Sequence, residues 1–165
     1  MSAASFEVVT HSAEEARALG ATLASRLRAG DLVILTGDLG AGKTTFTQGL
    51  GAGLNVRGAV TSPTFVISRV HPSLVGGPVL VHVDAYRLGG IAELDDLDLD
   101  TSLDDAVTVV EWGEGVAEAL AENRLEVTIT RSHGHDSVDD ADPRRVRITP
   151  VGPRWRDAAL AKALA

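Results

Sequence analysis

The sequence predicts an α/β protein in which a parallel sheet forms the middle of three layers and antiparallel strands extend that sheet. Short apolar runs such as "DLVIL" are typical of strands buried on both faces. Helix-like and strand-like segments alternate through the first two-thirds of the chain, and strand-like segments dominate afterwards. The 165 residues are about the length of one domain, so we expect a single domain over residues 1–165.

The N-terminal third predicts two strands separated by a helix. "SFEVVT" is a strand candidate, and "SAEEARALGATLASRLRAG" has apolar residues at helical spacing. Ser12 and Glu15 are three residues apart, as in a capping box, and Gly30 is suited to end this helix in a left-handed turn. "DLVIL" follows as the second strand.

The middle of the chain predicts a further helix and three strands. The helix begins at Lys43 and runs through about Leu50, because three glycines beyond Gln48 weaken its far end. The strands are Phe65–Val70, Val79–Asp84 and Ala106–Glu111, and "GEGVAEALAEN" has a helical pattern. Near the C-terminus, "LEVTIT" and "RRVRIT" alternate apolar and polar residues, which predicts half-exposed antiparallel strands, with residues 151–165 as a helical tail.

The segment "TGDLGAGKTT" predicts a phosphate-binding loop between the second strand and the helix after it. It fits the pattern G-x-x-x-x-G-K-[ST], in which glycines let backbone amides surround a phosphate. We expect Lys43 to reach the β- and γ-phosphates of a nucleotide and the Thr44 hydroxyl to bind Mg²⁺. The fold is therefore predicted to be P-loop NTPase-like, with the nucleotide contacted by Gly37, Asp38, Leu39, Gly40, Ala41, Gly42, Lys43, Thr44 and Thr45.

Two predicted strands end in carboxylates, Asp84 and Glu111. Because parallel strands end at one edge of a sheet, both should emerge beside the phosphate loop, where an acid can serve the metal or orient a nucleophile. The candidate catalytic residues are thus Lys43, Asp84 and Glu111. The hydroxyls of "TSPT" could also face a γ-phosphate, although an ordinary turn explains these residues equally well: Thr61, Ser62, Pro63 and Thr64.

The charge and composition give expectations about the binding partners and the cellular location of the protein. The net charge is −8, and seven acidic residues lie between Glu93 and Asp105, so the chain lacks the basic surface of a protein that binds nucleic acid alone. This acidic segment is either a solvated surface or a docking element for a basic partner. The chain has no cysteine, no apolar run long enough for a membrane span and no signal-peptide pattern, so we expect a cytoplasmic protein.

Several of these pieces together resemble one family. "GDLGAGKTTF", "TSPTF", "HVDAYRL", "EWGE" and "RRVRITPVGPRW" match, in order and at compatible spacing, the bacterial TsaE (YjeE) ATPases of tRNA threonylcarbamoyladenosine biosynthesis. The resemblance spans Gly37 to Trp155. It implies a component that binds and hydrolyses ATP with Mg²⁺ and works with TsaB and TsaD, of which TsaD carries the transfer to tRNA. Contact with tRNA would then be only indirect. Because the chain also has no obvious acceptor domain, we expect it to hydrolyse ATP slowly alone.

The resemblance also assigns roles to particular residues. It implies that the phosphate loop is Gly37 to Thr44 and that Thr44 and Glu111 serve magnesium. Asp84 would be needed for hydrolysis, and Thr61 to Thr64 would form a nucleotide-sensing switch loop. The loop between Arg131 and Pro143 is long and acidic where the family pattern has a short turn, so we assign no nucleotide contact to it.

Two other functions are compatible with the sequence. One is a small-molecule P-loop kinase of the shikimate-kinase type, although no arginine-rich lid is evident. The other is an adenine-nucleotide-controlled assembly switch with little catalysis. Turnover measured with and without partners distinguishes the switch from an ATPase, and a phosphorylated acceptor would identify a kinase.

Overall fold

The computed structural model describes residues 5–37, 42–56, 68–84, 105–111, 123–131 and 143–155. The strands in these ranges are β1 (Phe6–Thr10), β2 (Leu32–Gly37), β3 (Ser68–His71), β4 (Val79–Asp84), β5 (Ala106–Glu111), β6 (Arg124–Arg131) and β7 (Arg144–Val151). The helices are α1 (Ala13–Ala24), α2 (Lys43–Leu54) and a short 3₁₀ helix at Pro153–Trp155.

The described strands form one mixed sheet in the order β1-β7-β6-β2-β5-β4-β3. Its centre is parallel, since β2 pairs with β5 and β6, and β5 pairs with β4, all in the same direction. Antiparallel strands extend both sides: β7 and β1 beyond β6, and β3 beyond β4. The predicted α/β class with a parallel core and antiparallel additions is confirmed. The prediction for "LEVTIT" was incomplete, because β6 is antiparallel to β7 but parallel to β2.

The central strands are buried on both faces, as the apolar runs predicted. One face packs against α1 and α2 through a single cluster that includes Val33, Leu35, Val109, Leu23 and Phe46. The alternate residues of β2 and β4, which include Ile34 and Val83, are also buried. Burial of both faces is what the middle layer of a three-layer α/β protein requires.

Helix α1 begins as predicted and ends early. The Ser12 hydroxyl accepts a hydrogen bond from the Glu15 backbone N–H at 3.1 Å, which confirms the N-cap. The predicted continuation to Gly30 is wrong, because the helix ends at Ala24 and its last carbonyls accept shorter-range bonds from Arg26 and Leu27. Gly30 does adopt a left-handed conformation, with φ 97°, in the turn that leads into β2.

Helix α2 continues to Leu54, four residues beyond the predicted end. Its glycines are explained by how closely it packs on α1. A Cβ added at Gly49 would collide with the Arg17 carbonyl oxygen, and one at Gly53 would lie 2.6 Å from Ala24 Cβ. Glycine lowers the intrinsic stability of the helix at these positions, but it allows the backbones of α2 and α1 to come into contact.

Arg154, near the end of the described residues, forms hydrogen bonds with Asp31, just before the start of β2. Arg154 donates from Nε to Asp31 Oδ1 at 2.6 Å and from Nη2 to Asp31 Oδ2 at 2.8 Å. The same guanidinium lies over the Trp155 ring, 4.1 Å from its centroid. The predicted helical tail begins differently, because β7 extends to Val151 and Pro153–Trp155 form the 3₁₀ helix. Residues 156–165 lie outside the described residues.

Candidate phosphate-binding site

The candidate site lies where β2 ends and α2 begins. Gly37 is the last residue of β2, and Lys43 is the first residue of α2. This strand–loop–helix order is the context that the phosphate-loop motif requires. Of the predicted contact residues, Asp38, Leu39, Gly40 and Ala41 lie outside the described residues, so the structure places only the two ends of the loop.

Gly42 sets the start of α2. It is the N-cap residue and has φ 108°, a conformation that strongly favours glycine. No side chain caps the helix there, and its first turn carries no acidic residue. An uncapped helix N-terminus of this kind presents backbone N–H groups and positive potential, both of which favour a bound anion. A positive φ is thus found at Gly42, whereas Gly37 lies in strand β2.

Lys43 connects the two ends of the loop. Its side chain is buried, with the residue only 7% exposed, and its Nζ donates to the Gly37 carbonyl oxygen at 2.5 Å. The ammonium is therefore held beside the end of β2 and at the start of α2. An ammonium has three N–H donors, and the bond to Gly37 fixes the direction of one of them.

The threonines after Lys43 differ in their surroundings. Thr44 and Thr45 are both partly exposed in the first turn of α2. Thr47 is fully buried, and its hydroxyl donates to the Lys43 carbonyl oxygen at 2.9 Å. The hydroxyl predicted to bind a cation, that of Thr44, thus belongs to a residue in the first turn that keeps contact with solvent.

The two predicted carboxylates end neighbouring strands. In the sheet register Asp84 is paired with Glu111, and Glu111 is paired with Leu35 of β2. The ends of β4, β5 and β2 therefore meet at one edge, two residues before the loop begins at Gly37. This register brings the backbone positions of both acids to the edge where β2 enters the loop, and their roles at the site stay predictions.

Glu111 is buried, and its carboxylate contacts His82, a residue that was not predicted to belong to the site. Its Oε2 lies 2.5 Å from Nε2 of His82, which is completely buried in β4. The signal in the sequence was a histidine within the otherwise apolar run "VLVHVD", two residues before Asp84. Alternation along a strand, combined with the β4–β5 register, places such a residue beside Glu111.

The remaining predictions concern the switch loop and the metal ligands, and the structure describes only some of the residues involved. Thr61, Ser62, Pro63 and Thr64 lie outside the described residues, so their role as a switch loop stays a prediction. Within the ranges that the structure describes, no three histidine, aspartate or glutamate residues cluster as a metal site would.

A parallel sheet that leads through a glycine-rich segment into a helix, with a buried lysine at the junction, defines a protein of the P-loop NTPase-like class. The family model described as "Threonylcarbamoyl adenosine biosynthesis protein TsaE" matches residues 10–138. The chain belongs to the TsaE family, whose members take part in tRNA threonylcarbamoyladenosine biosynthesis.

Individual relatives agree with this assignment. The tRNA threonylcarbamoyladenosine biosynthesis protein TsaE of Streptomyces coelicolor is 64% identical over 143 residues, which cover 86% of this chain and 95% of the relative. The protein of the same name from Mycobacterium tuberculosis is 49% identical over 131 residues, which cover 75% of this chain and 78% of that one. The crystal structure of Bacillus subtilis YdiB is similar in fold, with a TM-score of 0.72, 32% identity, and coverage of 99% of this chain and 95% of YdiB.

The comparisons confirm the predicted family and fold class. They agree with a nucleotide-binding P-loop protein in tRNA modification. No helix in the described part of the chain is long and apolar enough to cross a bilayer.

Proposed function

We propose that this protein is a Mg²⁺-dependent ATPase that supports tRNA threonylcarbamoyladenosine formation together with TsaB and TsaD. The observation that carries the proposal is the buried Lys43 at the start of α2, whose Nζ is held at the end of β2 by the Gly37 carbonyl. A buried ammonium at an uncapped helix N-terminus is an arrangement suited to the β- and γ-phosphates of a nucleotide.

The chemistry proposed for this site is stabilisation of charge on the terminal phosphate. As the bond to the γ-phosphoryl group breaks, negative charge spreads over its oxygens, and a fixed ammonium and backbone N–H groups offset that charge. The hydrogen bond from Lys43 to Gly37 fixes the ammonium before substrate arrives. Preorganisation of this kind requires little rearrangement at the moment of reaction.

The residues at the site fit a magnesium ion in their donor chemistry. The Thr44 hydroxyl and the Glu111 carboxylate are oxygen ligands, which Mg²⁺ prefers, and Glu111 lies at the sheet edge beside the loop. Thr44 would bind the ion directly, and Glu111 would bind it directly or through a water. The ion would supply charge neutralisation between the β- and γ-phosphates.

Asp84 is proposed as the residue that orients the attacking water. The support is its position in the register, opposite Glu111 at the end of the adjacent parallel strand. A carboxylate there could accept a hydrogen bond from a water in line with the γ-phosphate. Thr61 to Thr64 are proposed to sense whether the γ-phosphate is present, which is the role that the family resemblance implies.

Partners are part of the proposal because the chain provides a nucleotide site without a basic surface for tRNA. The net charge is −8, so tRNA contact is assigned to TsaB and TsaD. The acidic segment from Glu93 to Asp105 is the proposed docking element. Charge reversal within it should slow association more at low salt than at high salt, because exposed charges act mainly by steering.

The experiment measures phosphate release from ATP by the purified chain, alone and after addition of TsaB and TsaD from the same organism. We expect slow release by the isolated chain, a Mg²⁺ requirement, complex formation and faster release in the complex. Absence of a complex in every nucleotide state, with release unchanged, would contradict the coupled ATPase. Nucleotide binding without turnover in either state would instead identify a switch, and a phosphorylated acceptor would identify a kinase.

A further inference from the structure

We propose that His82 is a positioning residue that fixes the Glu111 carboxylate for its task at the nucleotide. This inference rests on the proposed Mg²⁺-dependent function and adds a residue to it. The observation is the contact between His82 Nε2 and Glu111 Oε2 at 2.5 Å, which joins two neighbouring parallel strands at the edge beside the phosphate loop.

The backbone register explains why these two residues meet. His82 is paired with Val109, and Glu111 follows Val109 by two residues on β5. Side chains two apart along a strand lie on the same face, so the imidazole and the carboxylate are diagonal neighbours. The face is the one that packs against α1 and α2, because Leu80 and Val109 belong to that core cluster.

Burial makes this hydrogen bond hard to replace. His82 is fully buried, and the Glu111 side chain is only 5% exposed. Water therefore has little access to the carboxylate, and His82 is its hydrogen-bond partner among the described residues. A glutamate side chain has three rotatable bonds, so a fixed donor on one oxygen restricts where the other oxygen points.

The second ring nitrogen indicates which nitrogen carries the proton. His82 Nδ1 is buried and has no hydrogen-bond partner among the described residues. A proton on Nδ1 would be a buried donor without an acceptor, which costs more than an unpaired nitrogen lone pair in an apolar setting. The proton therefore lies on Nε2, where it is donated to Glu111.

The two oxygens of the Glu111 carboxylate therefore have different roles in this proposal. Oε2 is occupied by His82, which leaves Oε1 for the cation or a water bound to it. Residues that orient a metal ligand in this way typically change metal affinity by roughly 10- to 100-fold when they are removed. A role limited to core packing would give no selective effect on magnesium.

Three substitutions separate positioning from packing. His82→Gln can keep an N–H donor near the Nε2 position, whereas His82→Met keeps similar bulk without a donor. The matched control is Thr108→Val, because Thr108 on the neighbouring β5 is equally buried and its hydroxyl has no partner among the described residues. Thr108 precedes Glu111 by three residues and so belongs to the opposite face of the strand.

The readout is the MgCl₂ concentration that gives half-maximal binding of a fluorescent ATP analogue to the full chain. We expect His82→Met to raise this concentration roughly 10- to 100-fold. We expect His82→Gln to bring it back toward the wild-type value and Thr108→Val to leave it unchanged. Equal shifts in both His82 variants, or none in His82→Met, would overturn the positioning role and leave the proposed ATPase intact. A wild-type protein whose nucleotide binding ignores magnesium would overturn both.

A second measurement needs no substitution of His82, so it does not depend on whether the His82 variants fold. Nitrogen-15 NMR of the histidine rings should show His82 with its proton on Nε2, and that resonance should shift in Glu111→Gln. A His82 proton on Nδ1, or an Nε2 resonance that does not respond to Glu111→Gln, would contradict the proposal without any nucleotide present.

Discussion

At the scale of single residues, the candidate site depends on two neighbours with different physical roles. Gly42 provides a backbone conformation that other residues rarely adopt, and Lys43 provides a buried charge at the first position of α2. The sequence motif predicted both residue types because its chemistry requires them at this spacing. It could not predict the hydrogen bond between Lys43 Nζ and the Gly37 carbonyl, which depends on how the folded loop closes.

Gly42→Ala should separate backbone strain from steric collision. A Cβ at this position meets no atom within 4 Å, so the cost comes from the φ of +108° alone and should be about 1–2 kcal/mol of unfolding free energy. Gly76→Ala is the matched control, since Gly76 has φ +75° and equally open space but lies in the turn between β3 and β4. Chemical denaturation should show a similar loss of stability in both variants, whereas nucleotide titration should show weaker binding only in Gly42→Ala. If both variants bound nucleotide equally well, the Gly42 backbone conformation would not be needed for nucleotide binding.

Lys43→Ala should lower ATP hydrolysis by roughly 100-fold or more, because it removes a fixed charge from the breaking phosphate bond. It should also weaken nucleotide binding. Arg17→Ala is the control, because it removes an exposed cation from α1 whose Nε donates to Gln48 Oε1 over a long 3.4 Å. Phosphate release and circular dichroism would be measured on both variants. Wild-type turnover by a folded Lys43→Ala protein would contradict the assignment.

At the scale of elements, the site is supported by the way α2 is fixed on its two sides. Its N-terminus is joined to β2 through Lys43, and its middle is pressed against α1 at glycine positions. Helix propensity predicted that the glycines would end α2 near Leu50, but tertiary packing prevailed and the helix continues to Leu54. The sequence pattern does not encode which helix face will meet backbone, so this extension could not be predicted from it.

Gly49→Ala should destabilise the protein although alanine is the better helix former. The added methyl would collide with the Arg17 carbonyl oxygen, and the overpacking should outweigh a gain of about 1 kcal/mol from helix propensity, for a net loss of about 1–3 kcal/mol. Gly77→Ala is the control, because its added Cβ would have Ser73 Oγ as nearest neighbour at 3.5 Å. Urea denaturation of both variants measures the difference. A Gly49→Ala protein more stable than wild type would show that α1 and α2 are not in backbone contact.

Asp31→Asn should destabilise the junction between β2 and the end of β7. Asp31 is 3% exposed and accepts two hydrogen bonds from Arg154 and one from the Arg28 backbone. Loss of the charge should cost about 3 kcal/mol, the low end for a broken buried pair, because Arg154 retains some contact with water. Glu126→Gln is the control, since its pair with Arg124 is partly exposed, and it should change stability by less than about 1 kcal/mol. Similar thermal midpoints for both variants would contradict a structural role for the Arg154 pair.

At the scale of the whole molecule, the parallel centre of the sheet brings together residues that are distant in sequence. Gly37, Asp84 and Glu111 end three strands at one edge, and the register makes Asp84 and Glu111 direct neighbours. The sequence predicted this meeting because each acid ended an apolar run and parallel strands share an edge. It did not predict the strand order or the His82–Glu111 contact, since both depend on which strands pair and in what register.

The proposed function places ATP and Mg²⁺ between the start of α2 and the ends of β4 and β5. The most direct test is a crystal structure of the full chain with Mg²⁺ and a non-hydrolysable ATP analogue. We expect Lys43 Nζ within hydrogen-bond distance of the β- and γ-phosphates, Thr44 bound to the cation, and the Asp84 and Glu111 carboxylates near the γ-phosphate. A nucleotide bound elsewhere, or both carboxylates more than about 10 Å from the γ-phosphate and so beyond reach through one water, would contradict it.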